Sequence, residues 1–162
     1  MTVTLRVGTG YDVHAFTDGD HVMLAGVRIP HNRGVRAYSD GDVIIHALCD
    51  ALLGAAGLGD IGRHFPDSDA RWRGAASRVF LSEVIRMLAE RHYRVINVDI
   101  TLIAEAPRIG AHRMLMQQTL ADIMLIPYEA VNIKATTQEG MGFIGQGEGL
   151  AAQAVALIDS SR

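Results

Sequence analysis

The 162-residue chain is 49% hydrophobic, 20% charged and 6% aromatic, which fits one soluble globular domain, residues 1–162, with room for a sizeable core. Its net charge of −3 provides no basic surface for a polyanion, so no nucleic-acid partner is expected. The single cysteine, Cys49, cannot form a disulfide within the chain, and no signal peptide or membrane-length apolar stretch is apparent, so a reducing, cytoplasmic setting without membrane contact is expected.

In chain order, Thr4 to Val13 reads as a strand in which Gly8 and Gly10 mark a bulge or a close backbone approach. Phe16 to His21 is a turn around Asp18-Gly19-Asp20, and Val22 to Ile29 gives one or two short strands broken at Gly26. His31 to Tyr38 is a basic loop. Asp42 to Ala56 has Val43, Ala47, Leu48, Ala51 and Leu52 at helical spacing; Ser39 or Asp40 is expected to cap this helix, and Gly54, Gly57 and Gly59 to end it. Asp60 to Gly74 reads as an irregular polar loop, and Ser77 to His92 as an amphipathic helix with Leu81, Val84, Ile85 and Leu88 facing inward.

Val95 to Ala104 alternates as a strand, with Ile96, Val98, Ile100 and Leu102 on one face and Asn97, Asp99 and Thr101 on the other. Ala111 to Met124 is a third helix. Ala130 to Thr137 is a strand whose Val131, Ile133 and Ala135 oppose Asn132, Lys134 and Thr136, and Lys134 is the only lysine in the chain. Glu139 to Gly149 is a glycine-rich loop, and Leu150 to Ile158 reads as a last apolar helix. The second face of the long strands is too polar for a dry core and too apolar for open solvent. The expected fold is therefore α+β: a two-layer sandwich with a mixed sheet covered by helices on one face and packed against a partner subunit on the other.

Asp12 and His14 are two apart in a strand, which places them on the same side at the end of its apolar run. His46 follows one turn into a helix. Two histidines and a carboxylate are a common ligand set for catalytic zinc, with the fourth position left for a ligand or substrate oxygen. Asp42 and Asp50, four residues to either side of His46, could each accept its second ring N–H. The same residues also admit a plainer reading, with Asp12 capping a turn and both histidines partly buried packing groups.

Gly57 to Gly62 and Gly140 to Gly145 both match G-x-G-x-x-G, but the first follows a helix and the second precedes no further expected strand, so a dinucleotide-binding unit is disfavoured. Thr136, Thr137 and nearby backbone N–H groups could hold phosphate. Asp60, Asp67 and Asp69 could bind hydroxyls or a cation, or simply cap turns. Glu139 beside the threonines suits a hard cation on a diphosphate. No nucleophile elbow is present, which disfavours a hydrolase triad.

Taken together in this order, Gly10-Tyr11-Asp12-Val13-His14, Ser39-Asp40-Gly41-Asp42, His46-Ala47-Leu48, Leu58-Gly59-Asp60-Ile61-Gly62, Phe65-Pro66-Asp67-Ser68-Asp69, Ala106-Pro107, Lys134-Ala135-Thr136-Thr137 and Gly145-Gln146-Gly147-Glu148-Gly149 resemble the 2-C-methyl-D-erythritol 2,4-cyclodiphosphate synthases of the non-mevalonate isoprenoid pathway. The resemblance implies an enzyme that cyclises 4-diphosphocytidyl-2-C-methyl-D-erythritol 2-phosphate and releases CMP, built as a homotrimer with active sites between subunits. It implies zinc, or another divalent cation, on Asp12, His14 and His46, and magnesium or manganese on the substrate diphosphate near Glu139. Asp60, Ile61, Gly62, Phe65, Pro66, Asp67, Ser68 and Asp69 would hold hydroxyls. Ala104, Glu105, Ala106, Pro107, Arg108, Ile109 and Gly110 would form a cytosine pocket with Thr136 and Thr137 from a neighbouring subunit. Ser39, Gln138, Phe143 and Gln146 complete the implied substrate contacts, and Thr137 and Tyr38 are the implied catalytic side chains.

Three positions depart from the family pattern. Tyr38 stands where the family has a histidine regarded as a transition-state stabiliser, so a weakened rate is expected, because tyrosine donates an O–H but carries no positive charge at neutral pH. Gln146 replaces an arginine at a cavity on the trimer axis where isoprenoid diphosphates can bind, and Arg108 replaces a lysine. The alternatives these leave open are a non-catalytic or weakened trimeric relative that binds a nucleotide or isoprenoid diphosphate, and a zinc-dependent phosphohydrolase.

Overall fold

The computed structural model describes residues 3–160. Its strands are β1 (Thr4–Thr17), β2 (His21–Leu24), β3 (Val27–Pro30), β4 (Gly34–Val35), β5 (Tyr93–Ile103), β6 (Val131–Thr136) and β7 (Gly149–Ser160). Its helices are α1 (Val43–Ala56), α2 (Ile61–His64), α3 (Ser77–Glu90), α4 (Arg113–Met124) and α5 (Gly142–Gly145). The main sheet has the order β4-β1-β7-β5-β6; β5 and β6 are parallel and the other neighbours antiparallel, while β2 and β3 form a separate hairpin. This is the expected mixed α+β arrangement, with α1 packed on β1 and β7.

Residues 150–158 correct the sequence reading: they form a central strand, not a helix. The alanine-rich composition favours a helix locally, but Leu150, Ala152, Ala154, Ala156 and Ile158 alternate as the fully buried face under the helices, while Gln153 and Val155 point outward. Ladders on both edges, to β1 and to β5, satisfy the backbone of this strand, and that tertiary pairing overrides propensity. A strand therefore does follow the second glycine pattern, but it pairs with β5 and β1 and not with β6, so no parallel βαβ unit forms there.

The glycines of β1 explain how closely the two layers pack. A Cβ on Gly8 would lie 2.0 Å from the Ala51 carbonyl oxygen, and one on Gly10 would lie 1.9 Å from that of Ala47. Hydrogen at these positions lets the axis of α1 settle directly on the sheet. The cap of α1 also differs from expectation. Asp42, not Ser39 or Asp40, accepts the Ile45 N–H at 3.1 Å, and it accepts Ala25 and Gly26 N–H from the β2–β3 turn at 2.9 and 2.7 Å. Burial pushes the Asp42 carboxyl up from its ordinary value. Gly57, at φ 72°, closes the helix in the left-handed conformation, as the glycine pattern indicated.

In β5 the inward residue is Val95 in place of Ile96, because a register shift between Val95 and Asn97 turns Ile96 outward. Beyond that bulge Val98, Ile100 and Leu102 are buried, as their alternation predicts. The expected irregular loop after α1 contains the short helix α2 and a 3₁₀ turn at Ala70–Trp72. On the sheet face away from the helices, Leu5, Val7, Tyr11, Val13 and Val155 are exposed beside a polar cluster in which Lys134 and Asn132 donate to Asp99. These bonds, Lys134 first, hold the Asp99 carboxyl below its ordinary range. The only lysine is thus an outer-face residue. No helix among the described residues is long and apolar enough to cross a membrane.

Candidate metal centre and adjoining cavities

Strands β1, β5 and β6 run in the same direction, so their carboxyl ends emerge at one edge of the sheet. Asp12 and His14 lie near that end of β1, on the face that carries Gly8 and Gly10. The close approach of α1 brings His46 over them. His14 Nε2 lies 2.9 Å from Asp12 Oδ2, His46 Nδ1 lies 3.0 Å from the same oxygen, and the two ring nitrogens are 3.2 Å apart.

This triangle fits a cation. Ligands about 2.0–2.1 Å from a tetrahedral ion stand about 3.3 Å from one another, only a few tenths of an ångström wider than the distances here. Two imidazole nitrogens and a carboxylate oxygen at this spacing offer a cation three converging lone pairs. Among the described residues these three are the one cluster of histidine, cysteine and acidic groups whose ligand atoms converge within 4.8 Å. Burial raises the Asp12 carboxyl, but the adjacent His14 and His46 rings outweigh it and hold the group at about 2, so Asp12 is an anion at neutral pH. Glu139 is not part of this cluster; it stands exposed on the loop after β6 at φ 52°, its N–H donating to Thr137 Oγ1 at 3.1 Å.

Asp42 and Asp50 do not orient His46. Asp42 caps α1, and Asp50 accepts the Ile61 N–H at 2.7 Å, which ties the start of α2 to the helix that carries His46. The His46 Nε2 atom meets hydroxyls instead: Ser77 Oγ at 2.8 Å and Ser39 Oγ at 3.1 Å. Ser77 was invisible as a site residue in the sequence, where it reads only as the start of a helix.

A cavity of about 180 Å³ opens beside the cluster, with His14, Tyr38, Ser39, Ile61, Gly62 and Asp67 in its wall. Phe65, Trp72 and Phe80 close its floor as an aromatic group with ring centroids 4.8–5.5 Å apart; only Phe65 of these was expected. Asp60 caps α2 through the Arg63 N–H at 3.0 Å, while Pro66 and Ser68 lie outside the cavity wall. Asp69 is engaged by Arg71, whose guanidinium holds the carboxyl below its usual range.

Tyr38 donates its O–H to the Asp69 carbonyl at 3.3 Å, and Arg73 sits 5.8 Å over its ring. The Gly74 N–H donates to the Tyr38 carbonyl at 2.8 Å and the Asp40 N–H to the Ala75 carbonyl at 3.0 Å, so the segments 38–40 and 74–77 are stitched together along one wall.

A second cavity, about 320 Å³, lies between the ends of β5 and β6. Ala104, Glu105, Pro107, Arg108, Ile109, Gly110, Thr136 and Thr137 line it as expected; Ala106 does not, and Leu102, Arg113 and Ala135 join them. Arg113, at the start of α4, carried no local signal in the sequence. Glu105 accepts the Gln138 N–H at 2.7 Å and shapes the rim. Phe143 is exposed on α5, and Gln146 turns back to donate to the Gly140 carbonyl at 2.7 Å.

The family model described as YgbB family matches residues 5–159. The 2-C-methyl-D-erythritol 2,4-cyclodiphosphate synthase of Xanthomonas axonopodis pv. citri (strain 306) is 58% identical over 158 residues, spanning 98% of this chain and 95% of that protein. Among solved structures, the bifunctional IspDF from Campylobacter jejuni superposes with a TM-score of 0.95 at 38% identity, across 99% of this chain; the chain spans 43% of that longer protein. IspF from Plasmodium falciparum in complex with CDP gives a TM-score of 0.85 at 32% identity, covering 98% of this chain and 97% of that one. With a converging Asp-His-His cluster, two cavities at one sheet edge and near-full-length likeness in both sequence and backbone, the chain belongs to the YgbB family of 2-C-methyl-D-erythritol 2,4-cyclodiphosphate synthases.

Proposed function

We propose that the chain converts 4-diphosphocytidyl-2-C-methyl-D-erythritol 2-phosphate to 2-C-methyl-D-erythritol 2,4-cyclodiphosphate with release of CMP, in cytoplasmic non-mevalonate isoprenoid biosynthesis. The observation that carries the proposal is the convergence of Asp12, His14 and His46 in a chain 58% identical to a synthase of that name. The 2-phosphate oxygen of the substrate attacks the β-phosphorus, a P–O bond forms, and the bond from the β-phosphorus to the bridging oxygen breaks, so that CMP leaves with the electron pair. A phosphate monoester is already anionic near neutral pH, and the reaction needs positioning and charge neutralisation more than a strong base.

A zinc ion held by Asp12, His14 and His46 would polarise a phosphate oxygen as a Lewis acid. Magnesium or manganese at the diphosphate would be assisted by Glu139. The cavity lined by Tyr38, Ser39, Ile61, Gly62 and Asp67 suits the sugar-alcohol and ribose hydroxyls, and the cavity with Ala104, Pro107 and Ile109 suits a flat cytosine, with Thr136 and Thr137 at its phosphate end. The capture of CDP named for the Plasmodium falciparum protein supports the nucleotide assignment. The exposed apolar and polar side chains on the outer sheet face support a homotrimer in which the two cavities of one active site come from neighbouring subunits. The non-catalytic reading is not favoured, because the changes at Tyr38 and Gln146 remove none of the three converging donors.

Purified chain incubated with the substrate, zinc and magnesium is expected to give CMP and the cyclic product in equal amounts, followed by phosphorus NMR. A linear monophosphate product would point to a hydrolase, and a folded assembly yielding no product would sink the proposal. Removing metal with a chelator is expected to abolish turnover, and adding zinc back to restore it.

Tyr38→Phe deletes the O–H that holds the Asp69 carbonyl. It is expected to raise KM about fivefold, the effect of one net hydrogen bond of ~1 kcal/mol, with kcat changed less than twofold. A fall confined to kcat would instead place the phenol on the reacting phosphates.

A further inference from the structure

Helix α3 begins without a side-chain cap of its own: Ala76 precedes it and offers no hydrogen-bonding group. Asp40, from the loop before α1, supplies one. Its Oδ2 accepts the Ser77 N–H at 3.0 Å, and its Oδ1 accepts both the Ser77 hydroxyl and the Asp42 N–H, the latter at 3.1 Å. A serine hydroxyl has a single proton to donate. With that proton committed to Asp40, Ser77 Oγ can only accept from its remaining neighbour, His46 Nε2 at 2.8 Å. His46 therefore carries its proton on Nε2, and the Nδ1 lone pair is directed at Asp12 Oδ2 and His14 Nε2, 3.0 and 3.2 Å away.

We infer that Ser77, set by Asp40, is a positioning residue for the metal: its hydroxyl accepts the Nε2–H of His46, fixing the tautomer and ring orientation in which Nδ1 is a ligand. This rests on the metal reading proposed above and adds to it a carboxylate–hydroxyl–imidazole chain. The chain is built to last, because Ser77 is fully buried and its backbone and side chain are both gripped by one carboxylate. Ser39 Oγ, 3.1 Å from the same nitrogen, is a weaker candidate for this role. It faces the cavity and also accepts the Gly41 N–H at a long 3.3 Å, so nothing commits its proton away from the ring.

Partners of this kind change metal affinity about 10–100-fold when removed. The test is zinc affinity of the intact chain, measured by competition with a chromophoric chelator, with cobalt as a spectroscopic substitute. Ser77→Ala is expected to weaken zinc binding by about 10-fold or more and to shift the cobalt visible bands, and Ser77→Thr, which keeps the hydroxyl, to restore affinity to within about threefold. Asp40→Ala, which removes the acceptor and frees the hydroxyl to point at His46, is expected to weaken binding in the same direction. Thermal melting of the metal-free proteins separates this from a role confined to starting α3, which would lower stability but leave the affinity of the folded protein unchanged. The inference is overturned if Ser77→Ala binds zinc within twofold of the parent; should that variant not fold, the same result for Asp40→Ala overturns it. A parent chain that binds no zinc would instead overturn the metal reading itself.

Discussion

His46→Ala is expected to lower CMP release at least about a thousandfold, a loss of roughly 4 kcal/mol of transition-state stabilisation, which is the scale of a Lewis-acid contribution. Two losses combine in this variant. The histidine is the only one of the three converging donors that comes from a helix, so without it Asp12 and His14, both on β1, are left to hold a cation alone. The Asp12 carboxylate also loses one of the two imidazoles that counter its burial. Bound zinc should fall in parallel, measured by metal analysis after dialysis, while the far-ultraviolet circular dichroism is retained, since His46 stands at the edge of the core and not in it. A variant with full zinc content and a rate within tenfold of the parent would show that the reaction does not depend on this cluster.

Gly10→Ala is expected to be among the most damaging single-methyl additions in the chain. The new Cβ would sit 1.9 Å from the Ala47 carbonyl oxygen and 2.8 Å from the Ala51 backbone nitrogen. Both belong to helix backbone, which cannot turn aside as a side chain does. Relief requires α1 to lift off the sheet, and α1 is the element that carries His46. The cost is put at about 3 kcal/mol, at the upper end of overpacking effects, or a fall in Tm of roughly 6–12 °C. The functional result is more telling than the melting point: at a temperature where the variant is fully folded, zinc affinity should still fall, because His46 rides outward with the helix. Equal affinity for zinc in parent and variant would show that the helix and the cluster are not mechanically linked.

Local signals carried the site well where function coincides with periodicity. Asp12 and His14 are two apart on a strand, and His46 lies one turn into a helix of clear spacing, so those positions could be read before any fold was known. Other features depend on contacts that a linear pattern does not encode. The strand at Gly149–Ser160 is alanine-rich because α1 needs small residues beneath it, and small residues are also what a helix favours. The outward turn of Ile96 comes from a bulge set by its neighbour strand. Arg113 reaches the second cavity, and Ser77 reaches His46, from the starts of other helices. Helical spacing from His46 points to Asp42 and Asp50, but both carboxylates are committed to backbone N–H groups, and the hydroxyl at Nε2 comes from another helix.

Strand β7 has a consequence that reaches past the core. It hydrogen-bonds to β1 on one side and β5 on the other, and Ala152 pairs with Asp12 in the first ladder and with Leu102 in the second. The metal end and the rim of the other cavity thus lie on a single row across the sheet, two strand spacings apart, or about 10 Å. That separation is ruled by a ladder and not by loops, so loops at this edge can vary in length and sequence without altering it. β7 acts as a gauge bar: it contributes no side chain to the Asp-His-His cluster or to either cavity, and it sets how far apart the cluster and the second cavity of the chain must be.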